Sequence, residues 1–188
     1  MADLAELHRR ALNETRAVVS RIRDDQLGLP TPDSEWDVRA LLNHVVSGNL
    51  WAAELAAGAT IDGVGGRLDG DVLGPDPLDA YDRSAKAAAA AFEAAGAMDA
   101  PCAVSYGPVP GSVYAGHRFL DVLVHGWDLA DATGQDARLE PALVAACAEV
   151  IEPQLGLLQG SGMFGEALPV SADADEQTKL LALLGRRG

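Results

Sequence analysis

The chain has 188 residues, 48% of them apolar and 22% charged, a globular composition long enough to bury a core. A formal net charge of −14 excludes a nucleic-acid binder, whose surface must attract phosphates, and argues against docking on anionic lipid. No uncharged run approaches the ~20 apolar residues of a membrane-spanning helix, and MADLAELHRR lacks a signal peptide's apolar segment, so a cytoplasmic protein with reduced Cys102 and Cys147 is expected.

Alanine and leucine dominate the apolar residues, and both favour helix. The reading is one all-α domain over residues 1–188 with five or six helices. The first runs from Leu4 to Ile22, where Leu4, Leu7, Leu12, Val18, Val19 and Ile22 recur at helical spacing. His8 is read as a surface residue at its exposed start. DDQLGLPTPDSEW then breaks the pattern with one glycine and two prolines. Asp37 is a good N-cap for a second helix through WDVRALLNHVVSGNLWAAELAAG, with Gly58 as its stop.

Residues 59–77 hold five glycines and two prolines and read as a long loop. A third helix covers Leu78 to Ala95. Its AKAAAAAFEAA core has no strong polar face, which suits close helix packing. Residues 96–112 are not helical. Val104 to Tyr106 can be extended and Gly107 to Gly111 is turn chemistry, which gives either a small hairpin or an ordered loop. A fourth helix runs from Val113 to Thr133 and a fifth from Glu140 to Leu158, with Cys147 on an apolar stretch. The following LLQGSGMFGEALPV lacks the strand-to-helix context of a phosphate loop and reads as a connector. A short sixth helix spans Asp175 to Leu184. There is no internal repeat.

The fourth helix carries the chemistry. With His117 at zero on a helical wheel, Asp121, His125 and Asp128 fall at about 40°, 80° and 20°. Phe119, Val122, Leu123, Trp127 and Leu129 fill the other bearings, so the helix is apolar nearly all round and should be buried. Its polar stripe therefore needs partners inside the protein. Asp121 and His125 are spaced i, i+4, as two ligands to one ion or as a hydrogen-bonded pair. His44 lies on the core-facing side of the second helix with Leu41, Gly48, Trp51 and Leu55, where Gly48 leaves room beside the imidazole. Spacing alone leaves a metal centre and a hydrogen-bonded core cluster both open. Two His and one carboxylate would leave coordination positions free on a divalent ion, the mark of a catalytic rather than a structural site.

WDVRALLNHVV, LDVLVHGWDLADATG and the ending LLALLGR resemble actinobacterial proteins of the DinB-like superfamily, in particular the metal-binding N-terminal domain of mycothiol-dependent maleylpyruvate isomerases. The resemblance covers nearly the whole chain. It implies an up-down four-helix bundle with one or two extra short helices, holding zinc or nickel on His44, Asp121 and His125. It also implies mycothiol as cosubstrate, a small electrophile as substrate, and a thiol-dependent transferase or isomerase, with a non-catalytic metal-dependent ligand-binding protein as the alternative. A homodimer fits the superfamily. The chain departs from the isomerase in having Asp121 where that enzyme has glutamate, and it is expected to lack the isomerase's further C-terminal domain. His117 is left as a fourth ligand, a general base or a partner of a ligand. Trp51 is read as pocket wall or core. Arg186 is read either as a residue that binds an anionic substrate or as part of a solvated terminus.

Overall fold

The structure is a computed structural model and describes residues 3–33, 36–154 and 165–188. Seven α-helices and one two-stranded hairpin lie among them, an all-α fold with short additions. The chain divides into two compact units, residues 1–135 and 136–188.

In the first unit, α1 (Leu4–Val19) starts at Asp3, whose carboxylate accepts from Ala5 N and Glu6 N at 3.1 and 3.2 Å. Its buried face is Ala5, Leu7, His8, Ala11, Leu12, Thr15 and Val19. His8 is therefore a core residue and not a surface one: it lies on the same stripe as Leu12, one turn on. Helix α2 (Val38–Ala56) is capped by Asp37, which accepts from Ala40 N at 2.8 Å. It stops before Gly58, at φ +93°, in the left-handed region that glycine adopts without strain. Residues 59–77 are more ordered than a plain loop. They hold α3 (Ile61–Val64), capped by Thr60, and a 3₁₀ turn over Gly65–Leu68. Helix α4 (Pro77–Glu93) has Asp76 as N-cap and Pro77 in its first turn, where a missing N–H costs nothing.

Strands β1 (Pro101–Val104) and β2 (Gly107–Pro110) pair antiparallel, Pro101 opposite Pro110 and Val104 opposite Gly107. The hairpin alternative holds, but its turn falls at Ser105 and Tyr106, earlier than turn chemistry at 107–111 suggested, and Gly107 takes φ +114°. Helix α5 (Gly111–Ala132) follows and is buried on nearly every side.

Helices α1, α2, α4 and α5 form a bundle in which each packs on two others: α1 on α4 and α5, α2 on α4 and α5. Tyr81 Oη donates to Leu12 O at 2.9 Å and Arg9 pairs with Glu93, so α1 and α4 are antiparallel. Asn49 meets Ser84 while Ala52 and Leu55 share a cluster with Ala88 and Phe92, so α2 and α4 are parallel. His44 meets Asp121 while Asn49 meets Arg118, so α2 and α5 are antiparallel. The helix directions therefore run up, down, down, up. Two consecutive parallel helices need a return segment as long as the bundle. Residues 57–76 supply it, running back along α2 through Arg67–Glu54, Asn43–Gly70, Asn43–Val72 and Arg39–Asp71 contacts.

The second unit packs α6 (Pro141–Ile151) on α7 (Glu176–Leu183). Asp175 caps α7 by accepting from Thr178 N at 2.9 Å. Gln177 ties α7 to the preceding chain through Leu139 N and Ala137 O. Helix α6 ends at Ile151 and gives way to a 3₁₀ turn over Glu152–Gln154, where Pro153 lacks the N–H that an α-helix requires; residues 155–158 of the expected helix lie outside the described residues. Residues 155–164, which include much of the Gly-rich connector, lie outside the described residues. Both cysteines are buried free thiols, Cys102 on β1 and Cys147 on α6.

Candidate metal centre

Two facing helices bring together three side chains that carry metal-binding atoms. His44 comes from α2; Asp121 and His125 come from successive turns of α5. Each offers one ligand atom, and these atoms lie within 4.8 Å of one another, among the described residues the one such His/Cys/Asp/Glu group. His44 Nε2 is 3.3 Å and His125 Nε2 is 3.6 Å from the same oxygen, Asp121 Oδ1. The structure thus brings together all three ligands that the resemblance implies. The cluster is graded in burial: the His125 side chain is 4% exposed, Asp121 16% and His44 35%, so access is from the His44 side.

The surrounding residues orient the donors. Asp128, fully buried, accepts from His125 Nδ1 at 3.0 Å, which leaves Nε2 of that ring with its lone pair toward the cluster. Arg118 donates through Nη1 to Asp121 Oδ2 at 2.9 Å and through Nη2 to Asn49 Oδ1 at 3.2 Å. Trp36 stacks on His44 with ring centroids 4.5 Å apart and stands edge-on to His125 at 6.0 Å. It is placed by the segment before α2, where Val38 N bonds Leu29 O and Arg39 N bonds Leu27 O. Burial alone would raise the Asp121 carboxyl, but the Arg118 guanidinium and the two imidazoles outweigh it and hold it well below the ordinary carboxylate range.

Gly48 serves a different neighbour from the one its spacing suggested. A Cβ there would stand 2.4 Å from Arg118 Nη1, so the glycine makes room for the guanidinium, not for the imidazole. Beneath this group lies His8, fully buried and edge-on to Phe92 at 5.1 Å, with neither ring nitrogen hydrogen-bonded among the described residues. Burial, then the positive charge of Arg118, push its pKa down to about 3 against the weaker pull of Asp121, so the ring is neutral.

Of the other candidates, His117 is half-buried on α5, one turn before Asp121. Its Nδ1 is 2.5 Å from Tyr106 Oη on the hairpin turn, and it is not one of the three clustered ligands. Trp51 is half-buried on α2 and packs on the core formed by Ala52, Leu55, Cys102 and Tyr114. Arg186 lies in the second unit, 4% exposed rather than solvated, with Nη1 donating to Leu184 O at 2.8 Å. Trp36, Arg118 and Asn49 were not singled out from the sequence. An aromatic immediately before an N-cap, and polar residues on otherwise apolar helix faces, were the available signals.

The donor set suits a divalent ion: two imidazole nitrogens and one carboxylate oxygen at mutual distances one ion can span, with positions left over. A helical bundle presenting this set from its second and last long helices is a DinB-like domain. The chain belongs to the mycothiol maleylpyruvate isomerase N-terminal domain family, which matches residues 8–130. It is 38% identical over 184 residues to an uncharacterized protein of Mycobacterium tuberculosis strain CDC 1551, and equally to one of strain H37Rv, with 95% of each chain covered. No solved structure matches. Among the described residues no helix is long and apolar enough to cross a membrane.

Proposed function

We propose that the protein is a divalent-metal-dependent, thiol-using transferase or isomerase, with a mycothiol-type thiol and a small electrophile as its reactants. The observation that carries this reading is the open arrangement of His44, Asp121 and His125, buried on the α5 side and accessible at His44. Zinc or nickel suits two imidazoles and a carboxylate. When bound, such an ion lowers the pKa of a coordinating thiol, so that the nucleophile is present as thiolate at neutral pH.

The chain's own residues would divide the remaining work. His44, Asp121 and His125 hold the ion, and Asp128 keeps His125 in the ligating tautomer. His117, on the same face one turn away and bonded to Tyr106, accepts the thiol proton and returns it to the product. Trp36 excludes water from one side of the cluster. Trp51 gives the substrate an apolar wall. The chain acts as a homodimer in the cytoplasm.

Metal analysis of protein purified without a histidine tag, followed by turnover with mycothiol and electrophiles including maleylpyruvate, tests the proposal. About one ion per chain, and thiol-dependent turnover that His44→Ala abolishes, are expected. Protein without stoichiometric metal overturns the reading. Metal-loaded protein that turns over no thiol overturns its catalytic half and leaves a metal-dependent binding protein.

A further inference from the structure

We propose that Arg118 sets the coordination mode of this centre: it holds Asp121 as a one-oxygen ligand and cancels its charge, so that the free position favours an anionic incoming ligand such as a thiolate. The inference rests on the metal-centre reading above.

Arg118 is 7% exposed, an unusual depth for a residue that cannot lose its proton. Replacing a buried ion pair by apolar residues is often neutral or stabilising, so stability alone is a weak reason for this one. Its geometry is specific. Nη1 takes Asp121 Oδ2, so only Oδ1 is turned toward His44 and His125. Nη2 is anchored on Asn49, which in turn meets Ser84, itself bonded to Tyr81 O. Helix α2 is cut away to admit the group: a Cβ at position 48 would lie 2.4, 2.6 and 2.7 Å from Nη1, Nη2 and Cζ.

Two consequences follow. A carboxylate free on both oxygens can chelate and occupy a further position; one with Oδ2 already bonded to a guanidinium cannot without breaking that bond. The Arg118 and Asp121 charges also cancel. Since ligating imidazoles are neutral, a divalent ion here keeps most of its charge, opposed by Asp128 behind His125. That residual charge attracts an anion. Lysine would supply the charge but not the two-pronged grip on Asp121 and Asn49.

The test uses untagged full-length protein loaded with cobalt(II), whose visible bands weaken as coordination number rises, and 2-mercaptoethanol as the thiol probe. Wild type is expected to give intense visible bands and, with thiol, a sulfur-to-cobalt charge-transfer band. Arg118→Met is expected to bind cobalt at least as tightly, with weaker visible bands. Its affinity for the thiol falls about 10- to 50-fold, the scale of one unit charge about 7 Å away at an effective dielectric near 20. Arg118→Lys recovers part of the thiol affinity but not the band intensity. Gly48→Ala displaces the guanidinium without touching a ligand and shifts both readouts the same way; it decides the matter if Arg118→Met does not fold. Wild-type spectra and thiol affinity in Arg118→Met, or in Gly48→Ala, overturn the proposal, as does a folded Arg118→Met that takes up no cobalt. Wild-type protein that takes up no cobalt overturns the metal-centre reading itself.

Discussion

Asp128 has no exposure to solvent and accepts a hydrogen bond from Nδ1 of His125. Asp128→Asn keeps the size but offers an amide that can present its N–H, favouring the wrong tautomer. Metal affinity should fall about 10- to 100-fold, read by competition against a chromogenic chelator, with little change in helix content. His8 makes a second residue-scale prediction. Its pKa is about 3 in the folded protein against 6.5 for a free imidazole, so below pH 6.5 the unfolded chain binds a proton that the folded one refuses. The neutral ring's contribution is whole above pH 6.5 and is lost as pH falls toward 3, by at most about 1.4 kcal/mol per pH unit. The charged groups that set this are Arg118, which opposes protonation, and Asp121, which favours it. With chelator present, urea midpoints of His8→Met should fall less than wild type between pH 7.5 and 5; parallel curves would refute the assignment. Nearness to the N-terminus suggests a surface position for His8, but helical periodicity decides it. Leu4, His8 and Leu12 follow one another at i, i+4, the spacing of one helix face, which puts the imidazole inside.

At the scale of elements, α5 was the most legible piece, since an all-round apolar pattern broken by a polar stripe admits little but a buried helix. Its neighbour was not legible. Gly126 in the middle of a helix reads as a weakness, yet it lets α1 approach: a Cβ there would be 2.3 Å from Thr15 Oγ1, whose hydroxyl donates to Val122 O at 3.0 Å. Gly126→Ala should therefore destabilise by about 1–3 kcal/mol despite its better helix propensity. Thr15→Ala frees the space but loses a buried hydrogen bond. Because the two changes meet at one contact, the double variant should be less destabilised than the sum of the singles, in urea denaturation. Additive losses would mean that the helices do not touch there. Helix starts were legible where Asp3, Asp37 and Asp175 cap them. The third helix starts one residue earlier than expected because Asp76 caps it and Pro77 is tolerated in its first turn.

Across the whole molecule, an apolar stripe says that a helix is buried but not which way it runs, so the up, down, down, up order could not be read from periodicity. The clue lay in residues 57–76, too long for a tight turn, whose Asn43, Arg39 and Glu54 contacts now show why. The same topology sets α2 antiparallel to α5, which puts His44 opposite Asp121 and makes the cluster a tertiary feature that disappears on unfolding. An ion that binds only this folded unit must stabilise it, by about 2.7 kcal/mol at a free concentration 100 times Kd. All three tryptophans, Trp36, Trp51 and Trp127, lie in residues 1–135, so their fluorescence follows that unit's unfolding. Zinc should raise the tryptophan-detected midpoint by roughly 5–10 °C, and EDTA should reverse it. His44→Ala and Asp121→Asn should each abolish the shift, because either leaves too few donors to offset the ion's dehydration. A shift that survives in both variants would put the stabilising ion somewhere other than between α2 and α5.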